Sequence, residues 1–252
     1  MATVEERNIL ATKILQAVGA SHASLPPEPV TGFLSIAGHL YQGSLMVVGR
    51  AVNGFYEGIL PASLMVPEEV CKYTDMIFND VKSENEECPM SWVTKLWGGD
   101  DAYNTIKSAF WRVIRAVVCS LGIANVDLPQ WPSHLVWSNL YKVSPADGGN
   151  PGGTLCNIQL PGCIDLLRLE LDTYKPKRLL FLTGMNWAKP FLDVLGIPVN
   201  ENHDLKYVEG FGQANLTGGH QLNFVIACHP ARKQETHWVN EVHQVFNQLT
   251  GE

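Results

Sequence analysis

Four short, almost unbroken apolar runs constrain this chain more than any other feature: LMVVG (45–49), HLVWSNLYKV (134–143), RLLFLTG (178–184) and NFVIACHP (223–230). A strand with one wet face alternates apolar and polar residues, whereas a strand covered on both faces does not. The runs therefore predict a mostly parallel sheet with helices packed on it. Stretches with helical spacing lie between them. In AYNTIKSAFWRVIRAVVCSLG (102–122), Ile106, Phe110, Val113, Val117 and Leu121 recur on one face, and Gly122 is a stop signal. In CIDLLRLELDTYKP (163–176), Ile164, Leu167, Leu171 and Tyr174 do the same before Pro176. ETHWVNEVHQVFNQLTG (235–251) aligns Trp238, Val242, Val245, Phe246 and Leu249.

With the amphipathic start MATVEERNILATKILQAV, this order predicts an α/β fold: a three-layer α/β/α sandwich around a central, mostly parallel, four-stranded sheet. Residues 1–34 read as an N-terminal helix and extended lead-in, and residues 35–252 as the α/β domain. The Gly-rich segment 200–222 suits a hairpin before the last strand. SPADGGNPGGTLCN (144–157) follows a strand directly and reads as a site loop rather than a linker.

Charge and cysteine spacing narrow the function classes. A formal net charge of -7 gives no general attraction to nucleic acid or to an anionic membrane, so any nucleic-acid site must rest on a local basic patch. No stretch reaches the roughly 18 apolar residues of a membrane span. The first residues include early acids and no pattern of a cleaved leader. The six cysteines, at 71, 88, 119, 156, 163 and 228, contain no CxxC pair. The expectation is a cytoplasmic protein with reduced thiols, no cofactor, no obligatory metal and no membrane partner.

In open α/β sheets ligands bind beyond the carboxyl ends of the strands. Those ends carry Gly49–Tyr56, Asn139–Pro145, Gly184–Trp187 and His229–Lys233. Pro230 forces a turn, so His229 belongs at the sheet rim, either as a neutral hydrogen-bond donor to a developing anion or as a loop cap. Asn139 has one planar amide that can donate to a pyrimidine O4 while accepting from N3–H; an Asn at a strand end is also a common turn residue. Phe55 and Tyr56 suit either stacking on a base or simple packing. Arg232 and Lys233 suit phosphate contacts at a helix start. GRAVNG (49–54) is neither a dinucleotide fingerprint nor a Walker loop.

In this order, VVGRAVNG, WSNLYKV and ACHPARK resemble the uracil-DNA glycosylase superfamily, and LLFLTGMNWAKPFLDVLG resembles its third strand and following helix. The resemblance covers roughly residues 35–248. It implies a uracil-DNA glycosylase-like sandwich, a hydrolase of DNA repair by base excision, and single- or double-stranded DNA or a free nucleobase as partner. It further implies that Asn139 reads the flipped base, that His229 stabilises the departing base, and that Phe55 or Tyr56 stacks on it. Gly49, Arg50 and Ala51 would line the base, and Lys142, Arg232 and Lys233 would contact DNA. The family's first-loop acid or amide, which positions the attacking water, falls on Ala51 by simple count, or on Asn53 as the catalytic residue if the loop holds one extra residue. The loop lacks the usual proline, and Ala231 and Arg232 stand where Ser-Pro commonly follows His-Pro. The expectation is thus a glycosylase-like hydrolase acting on uracil or a related damaged base. The alternatives are a noncatalytic base- or nucleic-acid-binding protein on the same fold, or an unrelated small-molecule hydrolase.

Overall fold

The computed structural model describes residues 4–81, 88–99 and 103–251. In chain order its first elements are α1 (Val4–Ala20), β1 (Val30–Gly32), β2 (Ile36–Ala37), β3 (Leu45–Gly49), α2 (Pro67–Val81), α3 (Trp92–Lys95) and α4 (Ala109–Ser120). There follow β4 (Leu135–Asn139), β5 (Val143–Pro145), α5 (Gly153–Tyr174), β6 (Arg178–Phe181) and α6 (Met185–Leu195). The chain ends with β7 (Asn200–Glu201), β8 (Val208–Leu216), β9 (His220–Ala227) and α7 (Glu235–Thr250). The fold is mixed α/β. Each of the four apolar runs supplies a strand. Among the described residues no helix is long and apolar enough to cross a membrane.

Contacts divide the chain into two compact units, each assembled from three segments. The first holds Met1–Ser35, Gly49–Glu84 and Asn139–Thr173; the second holds Ile36–Val48, Asn85–Ser138 and Tyr174–Glu252.

In the first unit, β1 and β5 pair antiparallel, with Thr31 opposite Ser144. Helices α1 and α2 pack together, and α1 buries Ile14, Leu15 and Val18. Helix α5 begins at Gly153, ten residues before the stretch whose spacing predicted it.

The sheet of the second unit has seven strands in the order β2-β4-β3-β6-β9-β8-β7, rather than four. It is also mixed rather than mostly parallel. Strands β3, β6 and β9 run parallel, with Val47 opposite Leu180 and Leu180 opposite Val225. The pairs β2–β4, β8–β9 and β7–β8 are antiparallel. The additional strands lacked an apolar run for a physical reason. β2 and β7 have two residues each, and β8 alternates buried and half-buried positions over its first half. The Gly-rich segment thus forms β7 and β8, a hairpin before the last strand. Its glycines permit close packing: a Cβ at Gly212 would lie 2.7 Å from the Phe224 ring.

Helix α4 starts later than its spacing suggests. Ala102 lies outside the described residues. Ile106 belongs to a separate 3-10 turn, whose N–H is held by Asn104 Oδ1 at 3.1 Å, and extended Ser108 precedes the helix. Helix α7 packs on β8, β9 and α4. It buries Trp238, Val242, Val245 and Phe246, as its spacing requires. Trp111 makes edge-to-face contacts with Trp92 and Trp137, both at 5.3 Å, and forms an aromatic part of the core.

Candidate functional site

The first loop leaves β3 at Gly49 and pairs back at Ile59, which exchanges two 2.9 Å backbone hydrogen bonds with Val30. Its carbonyls are caught along the way. Gly49 O accepts from Leu140 N and Arg50 O from Tyr141 N, both at 2.9 Å. Val52 O accepts from the buried Ser144 hydroxyl at 2.7 Å. The Thr31 hydroxyl donates to Tyr56 O and accepts from Tyr56 N. Tyr73 donates to Glu57 O at 2.7 Å. A loop so thoroughly satisfied holds its shape, because releasing any buried carbonyl would leave it unpaired.

Side chains of this loop differ in role. Phe55 meets Phe33 edge-on at 5.7 Å and Tyr56 edge-on at 4.8 Å. Both loop aromatics remain half-buried, so packing and stacking are compatible uses of the same rings. Arg50 and Ala51 are also half-buried, and the methyl of Ala51 has no polar chemistry.

Asn53 is exposed, but its amide oxygen accepts from Gly149 N at 2.6 Å. The oxygen that would orient a water instead fastens loop 146–149. Gly148 makes this latch possible: its φ is +100°, and a Cβ there would lie 2.7 Å from Asn53 Oδ1. No carboxylate occurs within Gly49–Tyr56. Within loop 146–149 Asp147 is exposed.

Asn139 ends β4 and is buried, 3% exposed. The expectation that Lys142 contacts DNA is corrected by its burial. Lys142 is 2% exposed, and its ammonium donates to Glu170 Oε1 and to Asn139 O, each at 2.7 Å. A cation this deep has given up water for a carboxylate and a carbonyl and is not presented to a phosphate. Gln159, on α5, grips the same segment. Its oxygen accepts from Lys142 N and Val143 N, and its amide donates to Val143 O at 2.7 Å. The sequence reading missed Gln159 and Glu170. The usable signal was a polar residue and an acid on the helix stripe that also carries Cys163 and Leu166; a charge on a buried stripe requires a partner.

Burial also governs the nearby thiols. It pushes Cys163 up to about 12 and raises Cys156 above the ordinary thiol range. All six cysteines are free. Among the described residues, no group of three or more His, Cys, Asp or Glu is placed to hold a metal ion.

In the second unit, β9 ends at Ala227 and the chain turns through His229 and Pro230. Cys228 N donates to Tyr207 O at 2.8 Å, and Trp238 Nε1 donates to Cys228 O at 2.9 Å. Tyr207 N is in turn held at 2.7 Å by the buried Glu241 carboxylate. Ala231 N donates to His229 Nδ1 at 3.2 Å. In the neutral ring this leaves the proton on Nε2, so the half-exposed imidazole is a hydrogen-bond donor. Lys233 N closes the turn onto Pro230 O at 3.1 Å. Arg232 adopts a left-handed φ of +61°, which costs a non-glycine residue about 1–2 kcal/mol. Arg232 and Lys233 are exposed. At the start of α7, Glu235 pairs with Arg112 at 2.5 Å.

A groove of about 560 Å³ in this unit is lined in part by Trp97, Arg112, Arg115 and Cys119. Its guanidinium groups are already engaged, Arg112 by Glu235 and Arg115 by Val126 O and Asp127, so it offers an anion no unengaged cation.

No protein-family model matches the chain, and no curated protein matches it.

Proposed function

We propose that the chain is a DNA glycosylase-like protein that takes up uracil or a related damaged base and hydrolyses its N-glycosidic bond, working in the cytoplasm on a three-layer uracil-DNA glycosylase-like fold. The observation that carries this proposal is the hydrogen bond from Ala231 N to His229 Nδ1, which in a neutral ring places the proton on Nε2 and makes that nitrogen a donor. Negative charge develops on a departing pyrimidine as the glycosidic bond lengthens, and a fixed neutral donor stabilises that charge more than it stabilises the ground state. Asn139 would discriminate the base by donating to O4 while accepting from N3–H, and Phe55 or Tyr56 would stack on it. Exposed Arg232 and Lys233 would contact phosphates.

One observation favours a second function, noncatalytic binding of the base. The Asn53 oxygen is bound to Gly149 N, and the loop carries no acid to steady an oxocarbenium ion or activate water. Uracil release from a labelled single-stranded oligonucleotide, measured beside uracil affinity by calorimetry, separates the two. Release supports the glycosylase. Affinity without release supports the binding protein. Absence of both defeats the proposal and leaves the unrelated-hydrolase alternative. If release occurs, His229→Ala is expected to lower single-turnover rate by about 10²–10³ with little change in base affinity. Asn139→Ala is expected to weaken uracil binding and blur its discrimination from cytosine.

A further inference from the structure

The geometry points to the buried Lys142–Glu170 pair as the device that fixes the backbone of Asn139, the residue whose side-chain amide the proposed base-reading role would use. The pair is nearly sealed from water: the Lys142 side chain is 3% exposed and that of Glu170 is 0% exposed. The ammonium bridges two structures. It donates to Glu170 on α5 and to the carbonyl of Asn139, the last residue of β4. Charge-assisted bonds are shorter and stronger than neutral ones. The Asn139 carbonyl is therefore anchored by a full charge rather than by an amide.

Stability alone does not account for the pair. Apolar residues of similar volume usually replace a buried ion pair without loss, and often with gain, because removing both charges from water is costly. What an apolar replacement cannot do is hold a particular carbonyl oxygen at hydrogen-bond distance. Gln159 already secures the following residues through three hydrogen bonds to Lys142 and Val143. The contribution peculiar to the ion pair falls on Asn139 itself. It extends one residue further, because Leu140 N donates to Gly49 O and so ties the same peptide region to the first loop. Lys142 and Glu170 are thus positioning residues acting through Asn139.

A single substitution would strand one buried charge and risks unfolding the protein, so the test uses K142M/E170L, which removes both charges and keeps bulk. The side-chain amide pair of Asn139 is assigned in the ¹H–¹⁵N spectrum by its loss in Asn139→Asp. The expected result is a folded double variant, thermally as stable as the parent or more so, in which the Asn139 amide resonances shift or broaden. Uracil affinity is expected to fall roughly ten- to hundredfold, the range of one charge-assisted hydrogen bond. A merely structural pair would alter thermal stability and leave those resonances in place. Asn139 resonances coincident with the parent's, in a folded double variant, overturn the proposal. The inference rests on the base-reading role of Asn139 only for its effect on affinity. A parent that binds no uracil defeats that role, while the amide spectrum still decides whether the pair positions Asn139.

Discussion

The exits of β4 and β9 carry the two residues of greatest chemical interest, and they are held in opposite ways. Beyond β4, Asn139 to Val143 are buried and receive hydrogen bonds from a lysine and a glutamine side chain, with Glu170 behind the lysine. Beyond β9, the turn from His229 to Lys233 is largely exposed apart from Pro230, and local hydrogen bonds within the turn, Ala231 N to His229 Nδ1 and Lys233 N to Pro230 O, help to hold it. The difference corresponds to what each side chain would do under the proposed function. An amide that distinguishes two bases must be fixed before the base arrives, since a misplaced donor pairs as well with the wrong partner. An imidazole that meets charge formed during reaction needs a defined tautomer and access, which one hydrogen bond and a half-exposed position supply.

The rigidity of the β4 exit rests most directly on Glu170. Glu170→Ala should destabilise the protein by about 3–5 kcal/mol in urea denaturation, because it leaves Lys142 buried without its carboxylate. A loss below about 1 kcal/mol would mean that water reaches the ammonium and that the β4 exit is not the rigid one. The Asn53 latch is next in size. Gly148→Ala places a side chain at φ +100° and against Asn53 Oδ1. It should cost about 1–3 kcal/mol and release loop 146–149, seen as faster amide exchange at Gly149. Asn53→Ala should reproduce the faster exchange without the backbone strain. At the β9 exit the corresponding ion pair is Arg112–Glu235, with side chains 34% and 31% exposed. Glu235→Gln should change stability by less than about 1 kcal/mol, and salt should erase the change. His229→Ala should be smaller still, within about 0.5 kcal/mol, so that any loss of turnover is free of a folding defect.

Thiol chemistry sharpens the same contrast without mutation. Burial raises Cys163 to about 12, and the thiol is sealed in α5. Cys71 and Cys119 are exposed. In native protein at pH 8, Cys71 and Cys119 should react with a soluble disulfide reagent while Cys163 stays unmodified until the chain unfolds. Labelling of Cys163 at the same rate as Cys119 would show that the α5 face opens on the timescale of the assay.

Much of the fold was legible because the signals are local. Val47, Leu180 and Val225 lie in continuous apolar runs, and all three stand in adjacent parallel strands of the sheet. Trp238, Val242, Val245 and Phe246 are buried on one face of α7 as their spacing implied. The seven-strand count was not legible. Two-residue strands such as β2 and β7 have no periodicity to read, and β8 is Gly-rich with a register shift near Gly210. Of the site, the placement of Asn139 near the end of β4 and of His229 beyond β9 followed from the apolar runs in which they lie. Their hydrogen-bond partners did not, since Glu170 lies 28 residues from Lys142 and Gly149 lies 96 from Asn53.

Local sequence sets which segments become strands and helices, because hydrophobic periodicity and punctuating Gly and Pro act within a few residues. What Lys142 and Asn53 do depends on contacts that form only when remote segments fold together. A lysine after a strand reads as a surface cation until its neighbours seal it beside Glu170, and an asparagine in a loop reads as a free amide until a distant glycine N–H takes its oxygen. Charge and hydrogen-bonding capacity are written in the residue; whether water or a buried partner satisfies them depends on which remote segments the fold brings alongside.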